Sequence, residues 1–177
     1  MRVVPYQPHD LAEPRDLVDA IRARRGGTLL NLDLMLLHSA PLARGWNGYL
    51  RAVRTELEVS PRLRELAICV VAILTGADYE FGQHSPEFLK AGGTAQQLDA
   101  LRLIATTGVD GSNFDAPERA IIDLAIAMTR DVHVSRVIKD AARAVLANDR
   151  QMVEIVGVVA TYNMVSRFLV ALDIEPE

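Results

Sequence analysis

The 177-residue sequence has a single cysteine, Cys69, so no disulfide can close within the chain and no thiolate cluster can hold a metal. A reducing, cytoplasmic setting is the expectation. Long apolar runs are missing as well. The longest, Leu66 to Leu74, falls far short of the roughly 20 residues needed to cross a bilayer, and no membrane partner is expected. The first ten residues hold two prolines and lack the apolar stretch of a signal peptide, so no export is expected. There is no basic excess. With a net charge of -4 the chain lacks the clustered positive face that phosphate neutralisation requires, and no nucleic-acid partner is expected. His9, His38 and His133 lie on separate segments without a nearby His or Cys partner, which excludes the usual ligand spacings; no metal is expected. Strand alternation is nowhere evident.

What is present is helical punctuation. Residues 1–13 read as an extended arm, because each proline biases its predecessor away from helix. The remainder, 14–177, reads as a single all-α domain. A first helix spans about 14–24 and stops at Gly26-Gly27. Residues 29–38 and about 41–56 follow, the latter with Leu42, Trp46, Tyr49, Leu50 and Val53 at helical intervals, so that one face must be buried. Ser60 caps a helix over 61–75, and Gly76 supplies the left-handed stop. Asp78 can cap the next, 79–91, in which Pro86 predicts a bend just after His84. Thr94 with Gln97, and Asp115 with Glu118, have the spacing of reciprocal caps for helices to about 104 and 130. Residues 135–147 and 149–172 supply the last two helices. Glu65 and Glu118 are each followed by Ala two residues on, Ile three on and Ala seven on, a weak internal repeat. The fold expected is a helical bundle with 61–75 and 118–130 near its centre.

One constellation carries chemistry. Glu80 and His84, four residues apart, share a helix face, so a carboxylate and an imidazole can pair or exchange a proton. Tyr79 precedes them, and Glu65 on the preceding helix can approach if the turn at Gly76 folds the two helices together. On an exposed helix the Glu80-His84 pair would be merely solvated. Glu65 opens a segment of almost unbroken apolar residues, where an acid needs a partner or water; Arg62 or Arg64 would serve.

The stretch from about His38 to Leu101, with Leu-Arg-Glu-Leu-Ala, Tyr-Glu-Phe-Gly-Gln-His and Lys-Ala-Gly-Gly-Thr, resembles the carboxymuconolactone decarboxylase family, which includes the alkylhydroperoxidase D-like peroxidases. A looser similarity continues to Tyr162-Asn163 and Arg167. The resemblance implies the all-α fold of that family and a homo-oligomer, often a trimer or hexamer. In the peroxidase branch two cysteines belong to the relay, and their positions counted from Glu65 hold Ala77 and Glu80 here; the relay's Glu, Tyr and His are present as Glu65, Tyr79 and His84. Without those thiols the pattern looks like the decarboxylase side, which uses no cofactor. It implies acid-base chemistry, whether decarboxylation, isomerisation or a lyase reaction, on a small oxygenated or carboxylated compound. Glu65, Tyr79, Glu80 and His84 are then the candidate catalytic residues. His38 and Arg167 are candidates for binding substrate. The alternatives are an alkylhydroperoxidase-like redox protein and a non-catalytic oligomer that binds a ligand.

Overall fold

The computed structural model describes residues 2–104, 106, 111–131 and 133–177. Among them there is no strand, and the helices are α1 (Arg15–Arg25), α2 (Asn31–Leu36), α3 (Ala40–Thr55), α4 (Pro61–Thr75), α5 (Asp78–Lys90), α6 (Ala95–Arg102), α7 (Ala116–Arg130), α8 (Arg136–Ala144) and α9 (Asp149–Ala171), with a 3-10 turn at Gly111–Asn113 before α7. The chain divides into two compact units, one of residues 1–56 with 169–177 and one of 57–168.

In the first unit, α3 packs against α1 and α2. The buried Asp33 binds Arg25 Nε at 3.0 Å and the amide of Leu30 at 3.1 Å, an acid that is affordable in the interior because it is paired. The N-terminal arm meets the C-terminal tail: Arg2 pairs with Glu175 at 2.9 Å, and the Tyr6 hydroxyl accepts from the Glu175 amide at 3.0 Å. The face of α3 that is buried consists of Ala43, Leu50 and Val53, while Leu42 and Tyr49 are exposed. The five apolar residues expected on one face are spread over two, because Leu42 and Tyr49 form a seven-residue row displaced from the Ala43-Leu50 row.

In the second unit, α4 is the organising element and packs against both α5 and α7. Its residues from Glu65 to Ala72 are all buried, and each Leu, Ile or Val among them contributes about 1.5–3 kcal/mol on leaving water. The local signals sit where physical chemistry places them. Ser60 accepts from the Leu63 amide, and Gly76 takes a left-handed φ of 65° that ends α4 and reverses the chain into α5. Thr94 and Gln97 cap α6 reciprocally, as do Asp115 and Glu118 for α7. Asp78 differs from the sequence reading. Ala77 is the residue before α5 and offers no side-chain cap, and Asp78 lies inside the first turn, where its charge still meets exposed amides. α5 continues through Pro86 to Lys90. By length and composition α9 is apolar enough to cross a membrane, yet half of its most apolar stretch is buried within the protein, as in a core helix.

Candidate active site

Two turns of sequence, one on each side of Gly76, build the site. Glu65 lies in the second turn of α4 and Glu80 and His84 in the first half of α5, so the reversal at Gly76 turns both sets inward to the same place. His84 Nδ1 lies 2.6 Å from Glu65 Oε2. Its other nitrogen, Nε2, lies 3.1 Å from Glu80 Oε2. The two contacts are unequal: the first is a hydrogen bond, whereas Glu80 is close but off the N–H direction, and neither of its oxygens has a hydrogen-bond partner among the described residues. A neutral imidazole can donate on one side only. An imidazolium donates on both; Glu65 is in line to accept from Nδ1, and Glu80 stands close to Nε2 without accepting from it.

All three groups are withdrawn from water: Glu65 is 4%, Glu80 1% and His84 4% exposed. A solvated surface pair is therefore not what the motif forms. Tyr79 is buried in the first turn of α5 beside them in sequence. Burial pushes the Glu65 carboxyl up, but the hydrogen bond and charge of His84, reinforced by Arg64, outweigh this and hold it below the ordinary value of 4.5. Arg64 Nε donates to Glu65 Oε1 at 3.0 Å, so of the two arginines that the sequence offered as partners, Arg64 is the one used. Arg62 turns instead to Glu118 at 2.7 Å.

Two neighbours were not read as site residues from the sequence. Tyr162 of α9, fully buried, sets its ring edge-on to His84, with centroids 4.9 Å apart and planes at 84°. An aromatic inside an apolar helix gives no signal of which distant helix it touches. Cys69, one turn after Glu65, is buried, and its thiol is pushed up by burial and by the negative charges of Glu65 and Glu80. That is the opposite of the electropositive setting that makes a reactive thiolate.

The tentative binding residues lie elsewhere in their bonding. His38 belongs to the first unit, where Nδ1 meets Gln7 Nε2 at 3.1 Å and Nε2 meets the Pro5 carbonyl at 2.7 Å. Arg167 turns back along α9, its Nη1 donating to Asn163 Oδ1 at 2.6 Å and to the Asn163 carbonyl at 2.9 Å. No group of three or more His, Cys, Asp or Glu side chains suited to a metal occurs among the described residues.

The segment that carries this geometry also carries a family pattern. Residues 40–116 match the Carboxymuconolactone decarboxylase family. The resemblance read from the motifs thus stands, and the all-α fold agrees with it. Solved structures of the same fold include the alkylhydroperoxidase AhpD core protein of Ralstonia eutropha JMP134, an uncharacterized peroxidase-related protein, with a TM-score of 0.82 at 18% identity over 99% of this chain and 92% of that one. A peroxidase-related protein of Silicibacter sp. TM1040 gives 0.79 at 19% identity, over 99% and 90%. The debrominase Bmp8, crystallised with 2,3,4-tribromopyrrole, gives 0.79 at 17% identity, over 100% and 94%. At such identities the likeness shows a shared fold alone. No curated protein matches the chain by sequence.

Proposed function

We propose that the chain is a cofactor-independent enzyme of the carboxymuconolactone decarboxylase type, which moves a proton on a small oxygenated or carboxylated organic compound in a cytoplasmic, homo-oligomeric setting. The observation that supports this reading is His84 held between two buried carboxylates, Glu65 at 2.6 Å and Glu80 at 3.1 Å. Breaking a carbon–carboxylate bond next to a carbonyl sends the electron pair into an enolate and releases carbon dioxide; His84 then gives a proton to carbon, and Glu65 balances the charge on the ring. Isomerisation runs through the same enolate with the proton first removed and then returned. Tyr79 would donate to the enolate oxygen. Glu80, buried beside the ring, would orient it or take the proton.

The redox reading is disfavoured by chemistry: reduction of a peroxide, or of a halogenated ring by thiols, needs a nucleophilic thiolate, and the buried Cys69 is pushed away from that state. The test is proton exchange in deuterated water. A panel of small lactone carboxylates and β-keto acids is incubated with the protein and followed by proton NMR. Deuterium entering carbon next to a carbonyl, with or without loss of carbon dioxide, and abolished by His84→Ala, is the expected result. Turnover that survives both His84→Ala and Glu80→Gln would remove the proposed site and favour a ligand-binding protein.

A further inference from the structure

A solvent-open cleft beside Glu118 in the second unit is built from residues that the proton-transfer reading does not use. Its volume is about 610 Å³, and its lining includes none of Glu65, Tyr79, Glu80 and His84. Small-molecule sites run from roughly 300 to 1,000 Å³. Two helix starts form its wall. Gln97, in the reciprocal cap of α6, donates through Nε2 to Glu118 Oε2 at 2.9 Å and to the Asn113 carbonyl at 3.1 Å, which joins that cap to the cap of α7. Arg119 fixes the intervening turn by donating to the carbonyls of Gly111 and Phe114.

Glu118 is fully used in this wall. Oε1 accepts from Arg62 Nε at 2.7 Å, and Oε2 accepts from Gln97 and from the Asp115 amide at 3.0 Å. That saturation decides what remains for a ligand. Glu118 orients Arg62 through Nε alone, which leaves both Nη groups of a side chain 38% exposed as donors without a hydrogen-bond partner among the described residues. Asp115 gives Oδ1 to the Glu118 amide at 2.8 Å and keeps its second oxygen. Gln96 and the Asn113 side chain add amides at the rim. The Arg62-Glu118 pair cancels, and the charge of Asp115 is offset by the positive starts of two helices, so a bare anion finds little net attraction.

We propose that this cleft binds a small carboxylate carrying a neighbouring O–H or N–H donor, that is, a hydroxycarboxylate or an amino acid. The carboxylate lies on the Nη edge of Arg62, whose planar fork matches it, and the donor lies on Asp115. The test is an NMR titration of the intact protein with glycolate, glycine and acetate as probes, reading the Arg62 Nε and the Gln96 and Asn113 side-chain amides. Glycolate or glycine saturates these signals, and whichever binds more tightly identifies the hydroxyl or the ammonium form. Acetate, which lacks the donor, binds about fivefold more weakly, the worth of one hydrogen bond. Asp115→Asn keeps a good helix cap and erases that preference. Arg62→Lys loses the fork and weakens all three probes by about tenfold; because it also disturbs Glu118, Gln96→Glu serves as a second variant, weakening them through charge at the rim without touching the pair. Absence of saturation with all three probes overturns the proposal. So does acetate binding as tightly as glycolate and glycine. Turnover at His84 plays no part in the measurement, so failure here leaves the proton-transfer reading untouched.

Discussion

Glu65 and His84, 19 residues apart and on different helices, meet at 2.6 Å, while Glu80, on the same helix as His84 and one turn away, stays at 3.1 Å and out of hydrogen-bonding line. The long-range contact is thus the tighter of the two. It makes Glu65 the group that sets the charge and orientation of the ring, and Glu80 the group with oxygens to spare.

Glu65→Gln removes the charge opposite His84 with little change of shape. Turnover of any substrate found by proton exchange falls by about 10²-fold or more, because the general acid loses its counter-charge. Urea denaturation of the same variant shows a loss of about 1–3 kcal/mol, the usual range when a buried hydrogen bond to a charged group is broken. An unchanged turnover would show that His84 needs no partner on that side.

Acid sensitivity follows from the same carboxyl. Its folded value lies below the ordinary 4.5 of the unfolded chain, so the stability it contributes is fully present above 4.5 and is lost as pH falls through the lower folded value. Denaturation midpoints measured from neutral pH downwards decline below about 4.5, and Glu65→Gln flattens part of that decline. An equal slope in the wild type and the variant would place the acid sensitivity elsewhere.

Cys69 is expected to behave as a core residue. A thiol reagent added to the folded protein leaves it unmodified, and reacts with one equivalent only after denaturation. Cys69→Ala costs about 1 kcal/mol as a small cavity and alters proton exchange little. Fast labelling of the native protein, or hydroperoxide reduction lost in Cys69→Ser, would restore the redox reading.

Gly93 is a packing requirement. A Cβ there would lie 2.3 Å from the ring of Phe88, which is fully buried and cannot swing into water. Gly93→Ala lowers the thermal midpoint, with a cost of about 1–3 kcal/mol typical of an overpacked core. Adding Phe88→Leu relieves the clash, and the double variant loses less than the sum of the two single changes.

Most of the helical frame was legible because its signals are local. Ser60-Pro61, Thr94 with Gln97 and Asp115 with Glu118 each satisfy backbone donors within a few residues, so sequence spacing alone locates α4, α6 and α7. Glu65 was legible as an acid that needed a partner, and the choice between Arg62 and Arg64 was not, since it depends on which way each side chain leaves a helix flanked by α5 and α7. Tyr162 beside His84 is a tertiary fact of α9 that no spacing encodes, whereas Arg167 on Asn163 is an ordinary pair four residues apart on one helix, and spacing leaves open only whether that arginine would turn to it or to a substrate. The exposure of Leu42 and Tyr49 is of the same kind: apolar residues at helical intervals say that some face is buried and leave open which.

The two helices that carry the repeated Glu-x-Ala-Ile motif, α4 and α7, have put their acids to opposite ends. Glu118 is consumed by its own surroundings, with every oxygen engaged by Arg62, Gln97 and a backbone amide. Glu65 has kept one oxygen for a ring that can change its protonation. Acids at corresponding places in two helices of one core thus differ in what they can do: Glu118 is locked to its neighbours, and Glu65 faces a ring whose charge can change.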